Sequence, residues 1–244
     1  MRILLTNDDG YDGAGLQVLT EYLSKDHEVW VMAPDVNRSA VSHCITMTSP
    51  LKICQKADKK YTCSGVPVDC VIHGIAMMDE KPDVVISGIN KGANLGTDIL
   101  YSGTCAAARQ AVINEVPGIA LSIESYDDVW QYNALAKFVN DNLEQLVSLS
   151  GSNVFVNINA KSLDSYKGWK LTGLSNRTYK DTVHLYNAPD GHSYSFFQGG
   201  NIISSGDSDC DFEAVENNYI SISRVHAQPI SADYKRGDDL KLLL

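Results

Sequence analysis

Short apolar segments alternate with segments of helical periodicity along the first half of the chain. The apolar segments are nearly continuous, which is typical of strands that are buried on both faces. Helices that connect such strands cover the two faces of a mostly parallel sheet, so the sequence predicts an α/β fold. The predicted strands are residues 3–5, 28–33, 83–87, 118–123 and 154–156, and the predicted helices are residues 16–26, 104–114, 130–149 and one that starts at Pro67.

Beyond the strand at residues 154–156, the chain changes to short strand-like segments separated by Gly, Asn and Asp turns. No helical pattern of comparable quality occurs there. Because no linker-like stretch separates the two halves, we interpret residues 1–244 as a single domain. It has an α/β core over residues 1–160 and a β-rich C-terminal extension over residues 161–244. The clearest predicted strands of this extension are residues 169–172, 182–186 and 219–223.

The chain is acidic, with 30 Asp and Glu against 20 Lys and Arg and a formal net charge of −10. This balance argues against a nucleic-acid polymer as the main partner. It permits a phosphorylated small molecule, provided that a metal or oriented backbone N–H groups supply local positive charge. No apolar run is long enough to span a bilayer, and the N-terminus has no signal-peptide pattern. The six cysteines lack C-x-x-C spacing and are typical of reduced thiols, so we expect a cytoplasmic protein without a membrane partner.

Two adjacent carboxylates, Asp8 and Asp9, follow directly after the first predicted strand. At a separation of about 4 Å and an effective dielectric constant of about 20, two carboxylates repel each other by roughly 4 kcal/mol. A proton or a bound cation relieves this repulsion. Acidic residues also cap helices or form Asx-turns, and one of the two could do so. Such a cap leaves the second carboxylate unexplained, so we interpret the pair as part of a metal site.

Oxygen-bearing side chains are concentrated in three loops that follow predicted strands. In an open α/β sheet, such loops meet at the carboxyl ends of the strands, where ligands bind. Carboxylate, amide and hydroxyl oxygens suit a hard divalent cation such as Mg²⁺ or Mn²⁺. The loops carry Asn7, Asp8 and Asp9; then Asp35, Asn37, Arg38, Ser39 and Ser42; and then Asn90, Lys91, Asn94, Asp98, Ser102 and Thr104.

The stretch Ser102-Gly103-Thr104 leads into a run of alanines at the start of a predicted helix. Exposed N–H groups at a helix start lie at the positive end of the helix dipole and suit a phosphoryl group. An ordinary Ser or Thr N-cap is the alternative use of this turn. The chain has no G-x-G-x-x-G turn after the first strand, no Walker A sequence and no Gly-x-Ser-x-Gly elbow. These absences argue against a dinucleotide fold, a P-loop hydrolase and a serine hydrolase.

In combination, these segments resemble the SurE family of stationary-phase survival proteins, which are metal-dependent nucleoside monophosphate phosphatases. The resemblance rests first on RILLTNDDG at residues 2–10 and on APD at residues 33–35 with NRS at residues 37–39. It continues with SGINKGANLG at residues 87–96 and YSGT at residues 101–104. A weaker match extends it over residues 206–215 and 219–223.

The resemblance implies a Rossmann-like three-layer α/β/α core. It also implies C-terminal β elements that exchange between the subunits of a homodimer or homotetramer. The implied activity is that of a 5′-nucleotidase acting on nucleoside monophosphates, with 3′-nucleotides as a second substrate class. The implied cofactor is one divalent cation per subunit, Mg²⁺ or Mn²⁺, and its implied ligands are Asp8, Asp9, Ser39 and Asn90. The implied phosphate-binding residues are Asn94, Ser102, Gly103 and Thr104.

The sequence does not decide whether Asp8 or Asp9 acts as the catalytic base. Two other functions are compatible with parts of the sequence. A haloacid-dehalogenase-type aspartyl phosphatase also begins with a strand followed by Asp. That chemistry needs a second aspartate two residues after the nucleophile, where this chain has Gly10. A nucleotide-binding protein without catalytic activity would use the same Gly-Asn loops, but the full set of oxygen ligands argues against it.

Overall fold

The computed structural model describes residues 1–231 of the 244-residue chain, and thirteen strands and six α-helices lie within this range. The strands are β1 (Arg2–Thr6), β2 (Glu28–Pro34), β3 (Ile53–Ala57), β4 (Lys60–Cys63), β5 (Val84–Lys91), β6 (Gly118–Glu124), β7 (Val154–Lys161), β8 (Trp169–Thr172), β9 (Asn176–Tyr179), β10 (Thr182–Asn187), β11 (Ser193–Gln198), β12 (Ile202–Ser205) and β13 (Ile220–His226). The helices are α1 (Ala14–Leu23), α2 (Pro67–Met77), α3 (Gly103–Ile113), α4 (Asn133–Asp141), α5 (Leu143–Ser148) and α6 (Asp211–Glu216), and a 3₁₀ helix spans Gly96–Leu100.

Nine strands form one central sheet in the order β3-β4-β2-β1-β5-β6-β7-β13-β8. Neighbouring strands are parallel except for the antiparallel pairs β3/β4 and β7/β13. Alternate residues of β1 pack on opposite faces of this sheet: Ile3 and Leu5 lie with Leu16 of α1, and Leu4 lies with Val71 of α2. Helices α4 and α3 complete the two outer layers. The predicted α/β fold with helices on both faces is confirmed.

The prediction of one long helix over residues 130–149 is wrong, because the structure has two shorter helices, α4 and α5, in this segment. Asn142 lies between them with φ −122°, and its Nδ2 donates a hydrogen bond to the carbonyl oxygen of Phe138 at 2.8 Å. A short amide side chain bonded to the backbone in this way competes with helical hydrogen bonds and ends α4. None of the helices within residues 1–231 is long and apolar enough to cross a membrane.

The C-terminal extension is rich in strands, as predicted, but two of its strands belong to the central sheet. β13 pairs antiparallel with β7, and β8 pairs parallel with β13. The other strands form two small sheets, β9/β12 and β10/β11. The extension also contains the helix α6, which the sequence analysis did not identify because six residues are too few to show an apolar period.

The strand order of the central sheet reverses at β1, which has β2 on one side and β5 on the other. This reversal places two long loops side by side. The chain leaves β1 for β2 on one side and returns to β5 on the other side. In an open α/β sheet, ligands bind outside the carboxyl ends of the strands at such a point. The loops that follow β1 and β5 both begin here, and they contain the two aspartates and the Gly-Asn segment.

Candidate active site

The turn that carries the two adjacent aspartates is built by Asn7, which is fully buried. Its Nδ2 donates to the carbonyl oxygen of Gly10 at 2.8 Å, and its Oδ1 accepts from the N–H of Gly10 at 3.2 Å. Gly10 has φ +100°, and a Cβ there would lie 3.1 Å from the carbonyl carbon of Val36. Only glycine adopts this conformation readily beside another backbone segment, so the turn is held in one arrangement.

The Asp8 carboxylate lies almost completely inside the protein, with 4% of the residue exposed. The Thr104 hydroxyl donates a hydrogen bond to Asp8 Oδ1 at 2.5 Å. Burial raises the pKa of Asp8 to about 6, the Thr104 hydrogen bond opposes this rise, and the negative charge of Asp9 adds to it. A buried carboxylate of this kind is stabilised in its ionised form by a nearby positive charge.

Asp9 connects its own turn to the end of β5, which runs to Lys91 and not only to residue 87 as predicted. The N–H of Lys91 donates to Asp9 Oδ2 at 3.0 Å, and burial raises the pKa of Asp9. At the same strand end, Asn90 Nδ2 donates to the carbonyl oxygen of Gly92 at 2.8 Å. Because the amide nitrogen of Asn90 is used in this bond, its Oδ1 is the atom that can coordinate a cation.

The loop after β2 is fixed beside Asp8 by its backbone. The N–H of Arg38 donates to the Asp8 carbonyl oxygen at 2.7 Å, and the next residue, Ser39, lines the same cavity as Asp8. The Arg38 guanidinium turns away from this cavity. Its Nη2 donates to the carbonyl oxygen of Ser64 at 2.8 Å and lies 3.5 Å from Asp35. Arg38 therefore positions the loop through its backbone and leaves the side chain of Ser39 at the site.

Asn94 is held by a buried amide network that sequence reasoning did not identify. Its N–H donates to Asn159 Oδ1 at 2.7 Å, and its Nδ2 donates to Ser122 Oγ at 2.7 Å. Its carbonyl oxygen accepts from Asn157 at 2.8 Å and from Asn159 at 3.1 Å. Asn157 and Asn159 are two residues apart on the otherwise apolar strand β7, and this polar alternation is the signal that the sequence offered.

The start of α3 packs directly against Asp8. Ser102 is the N-cap of this helix, and its Oγ accepts a hydrogen bond from the N–H of Cys105 at 3.0 Å. A Cβ on Gly103 would lie 3.0 Å from Asp8 Oδ2, so glycine permits this close approach. The cap is therefore observed for Ser102, while the phosphate-binding roles of Ser102, Gly103 and Thr104 stay predictions.

A cavity of about 380 Å³ opens at this edge of the sheet. Five of the predicted site residues line it, namely Asp8, Ser39, Asn90, Asn94 and Ser102. The other three, Asp9, Gly103 and Thr104, lie next to lining residues. The cavity is also lined by Lys91 and Asp98, which the sequence analysis placed in the polar loops without a role, and by residues it did not name, among them Tyr101, Glu124, Arg177, Tyr179 and Ile202. Three of these belong to the extension, and no local pattern marked them.

The residues at this edge fit a hard divalent cation. Within residues 1–231, no group of three or more His, Cys, Asp or Glu side chains could hold a metal ion. The predicted ligand set has two carboxylates, and its other two donors are the hydroxyl of Ser39 and the Oδ1 of Asn90. Such an all-oxygen set suits Mg²⁺ or Mn²⁺. The buried charge of Asp8 beside Asp9 supplies the electrostatic reason for a cation here.

Comparison with known proteins gives one family. The family model described as Survival protein SurE matches residues 3–181. A protein named 5′-nucleotidase SurE from Thermosipho melanesiensis is 41% identical over 243 residues, covering 96% of this chain and 94% of that protein. Its namesake from Treponema pallidum is 48% identical over 174 residues, covering 68% of this chain and 93% of that protein. The crystal structure of the SurE protein from Aquifex aeolicus superposes with a TM-score of 0.81 at 35% identity, covering 93% of this chain and 94% of that one. The chain belongs to the SurE family.

Proposed function

We propose that this protein is a 5′-nucleotidase, a phosphomonoesterase that depends on a divalent cation and hydrolyses nucleoside monophosphates to nucleoside and phosphate. The relatives from Thermosipho melanesiensis and Treponema pallidum carry the name 5′-nucleotidase SurE. The observation that carries the proposal is the buried carboxylate of Asp8, which adjoins Asp9 and shares a polar cavity with Ser39 and Asn90.

The proposed ligands of one Mg²⁺ or Mn²⁺ per subunit are Asp8, Asp9, Ser39 and Asn90. When bound, such a cation polarises the phosphoryl oxygens and lowers the pKa of the attacking water. Asp8 and Asp9 supply the negative charge that balances it, and we assign the acceptance of the water's proton to this pair. The Thr104 hydroxyl keeps the Asp8 carboxylate in one orientation through its hydrogen bond at 2.5 Å.

The phosphoryl group is proposed to lie between this pair of aspartates and the start of α3. Residues 102–104 present the positive end of the helix dipole to it, and Asn94 presents a side chain that its buried network holds in place. Groups fixed in advance in this way stabilise the charge that develops on the phosphoryl oxygens. The proposed phosphate-binding residues are Asn94, Ser102, Gly103 and Thr104.

The proposed function also has a substrate range, an assembled form and a cellular location. We propose 3′-nucleotides as a second substrate class, and a homodimer or homotetramer as the assembled form. The hairpin of β10 and β11 supports the assembly, because Leu185 and Phe197 on it are 70% and 71% exposed. A cytoplasmic location is supported by the free thiols of all six cysteines.

Removal of the cation tests the proposed function. Protein treated with EDTA and then dialysed is expected to release phosphate from AMP at least about 100-fold more slowly than untreated protein. The reason is that the aspartate pair then lacks the divalent cation that polarises the phosphoryl group. Addition of Mg²⁺ or Mn²⁺ is expected to restore the rate, measured as inorganic phosphate. Full activity in the presence of EDTA would contradict the metal dependence. No phosphate release from any 5′- or 3′-mononucleotide with either metal would favour the nucleotide-binding protein without turnover.

Substitution of Gly103 by alanine is expected to lower kcat/KM for AMP by up to about 10-fold, since a displacement of about 1 Å at a reacting group costs about 100-fold and this shift is smaller. The added Cβ would lie 3.0 Å from Asp8 Oδ2 and 3.2 Å from Pro67 Cγ, so α3 or the Asp8 side chain must shift by a few tenths of an ångström. Gly151→Ala is the matched control, because a Cβ there has no atom within 4 Å. Equal kinetics for the two variants would show that α3 does not need its close approach to Asp8.

A further inference from the structure

Arg177 of β9 lines the same cavity as Asp8 and Asn94, although it belongs to the C-terminal extension. Its side chain is only 7% exposed. Its backbone N–H donates to the Thr97 hydroxyl at 3.0 Å, which fixes β9 against the 3₁₀ helix. Arginine is rarely buried to this extent unless its guanidinium has partners.

The partners of this guanidinium within residues 1–231 are incomplete. Arg177 Nε lies 3.2 Å from Asp98 Oδ2, in an ion pair without hydrogen-bond geometry. The Tyr179 hydroxyl donates to Oδ1 of the same carboxylate. Both Nε and Nη1 of Arg177 are buried and lack a hydrogen-bond acceptor. Buried donors are nearly always paired, so a guanidinium with two unpaired N–H groups in a residue beside a cavity indicates an acceptor that the described residues do not supply.

Two cationic residues line the cavity within the described part of the chain, and the buried side chain of Arg177 is the more firmly fixed of the two. Lys91 is the other cationic residue. The Lys91 ammonium lies 3.5 Å from Asp128 and 4.9 Å from the ring centre of Trp130, and its side chain is 52% exposed. It is therefore engaged with the rim. The carboxylates that line the cavity are Asp8, Asp98 and Glu124. Apart from the proposed cation and the start of α3, Arg177 is therefore the fixed positive group that a phosphate monoester with close to two negative charges would meet there.

We propose that the guanidinium of Arg177 binds the phosphoryl group of the substrate and stabilises the charge that develops there during hydrolysis. The proposal rests on the proposed function and names an additional catalytic residue for it. A guanidinium suits this task because its planar donors match phosphate oxygens. Asp98 and Tyr179 are then positioning residues for Arg177. The C-terminal extension would thus complete a site whose other residues come from the core.

The test compares Arg177→Ala and Arg177→Lys in steady-state hydrolysis of AMP with Mg²⁺ and in inhibition by inorganic phosphate. Arg177→Ala is expected to lower kcat/KM by about 10²- to 10³-fold, the usual effect of removing one charge-stabilising donor. Its inhibition constant for phosphate is expected to rise by about 10-fold or more, because one charged phosphate ligand is lost. Arg177→Lys is expected to lie between Arg177→Ala and wild type, and added guanidinium ion should partly restore Arg177→Ala.

Thr97→Val tests the backbone link between β9 and the 3₁₀ helix by itself, a link that Arg177→Ala retains because alanine has the same N–H. This control removes the hydroxyl that accepts the Arg177 N–H and leaves the guanidinium in place. It is expected to keep wild-type kinetics within about 2-fold, as surface substitutions away from a site usually do. If Arg177→Ala fails to fold, the double variant Asp98→Asn/Arg177→Gln removes both members of the Arg177–Asp98 ion pair and is expected to show the same rise in the inhibition constant.

An unchanged inhibition constant for phosphate in the folded Arg177 variants would overturn the proposal, as would an equal loss in Thr97→Val. Neither result would affect the proposed nucleotidase activity, which wild type would still show. The failure of wild type to release phosphate from any mononucleotide is a different result, which would overturn the proposed function itself and this proposal with it.

Discussion

Replacement of Asp8 by asparagine is expected to lower kcat for phosphate release from AMP by about 10³-fold. The substitution removes the charge that we propose balances the cation, and it retains an oxygen that can accept the Thr104 hydrogen bond. The neighbouring Asp9→Asn is expected to show a large loss as well, because both carboxylates belong to the proposed ligand set. Steady-state kinetics with saturating Mg²⁺ measure both effects. Near-full activity of both variants would contradict the mechanism.

The stability of the metal-free protein provides the control for folding. Burial raises the pKa of Asp8 to about 6 in the folded protein, above its ordinary value of 3.8. The folded state therefore binds the Asp8 proton more tightly than the unfolded state does. Proton binding stabilises the folded protein at low pH, and this stabilisation is lost as the pH rises from about 4 to about 6. Asparagine stays neutral over this range. Metal-free Asp8→Asn is expected to melt at or above the temperature of metal-free wild type at pH 7.

Replacement of Asp211 by alanine is expected to have the largest effect on stability, a loss of about 3–5 kcal/mol. Asp211 is fully buried at the start of α6. Its carboxylate accepts from the N–H groups of Gly96 at 2.7 Å, Ser175 at 2.8 Å and Phe212 at 2.8 Å. Alanine would leave these donors without a partner inside the protein. It would also release the segment next to Asn94 from the extension, so activity should fall as well.

Two variants control this result in urea denaturation. Asp209→Ala changes an exposed residue on the same turn and is expected to stay within about 0.5 kcal/mol of wild type. Asp211→Asn keeps one acceptor oxygen and is expected to lose an intermediate amount. The role given to Asp211 would be wrong if Asp211→Ala and Asp209→Ala had the same unfolding midpoint.

The core strands were predictable because each contains a run of apolar residues that is buried on both faces. In β1, Ile3 and Leu5 face one helical layer and Leu4 faces the other, which requires the continuous run seen in the sequence. The closeness of Asp8 and Asn90 was predictable for a related reason. Asp8 follows β1 and Asn90 lies in the last residues of β5, and the carboxyl ends of such parallel strands meet at one edge.

The contribution of the extension was not predictable from local pattern. Arg177 reaches the cavity only because β9 packs on the 3₁₀ helix and pairs with β12, and this pairing joins segments far apart in the sequence. The antiparallel pairing of β13 with β7 likewise joins strands that are far apart in the sequence. The end of α4 at Asn142 depends on one side-chain hydrogen bond, which the apolar period of the surrounding residues does not report.

The central claim is that the two aspartates after β1 hold a divalent cation that substrate can reach. Anomalous diffraction from crystals soaked in Mn²⁺ tests it most directly. The expected result is one manganese peak per subunit, coordinated by Asp8, Asp9, Ser39 and Asn90 at about 2.0–2.3 Å, the range for hard cations and oxygen ligands. A cavity without manganese, with both carboxylates turned into contacts with backbone N–H groups, would contradict it.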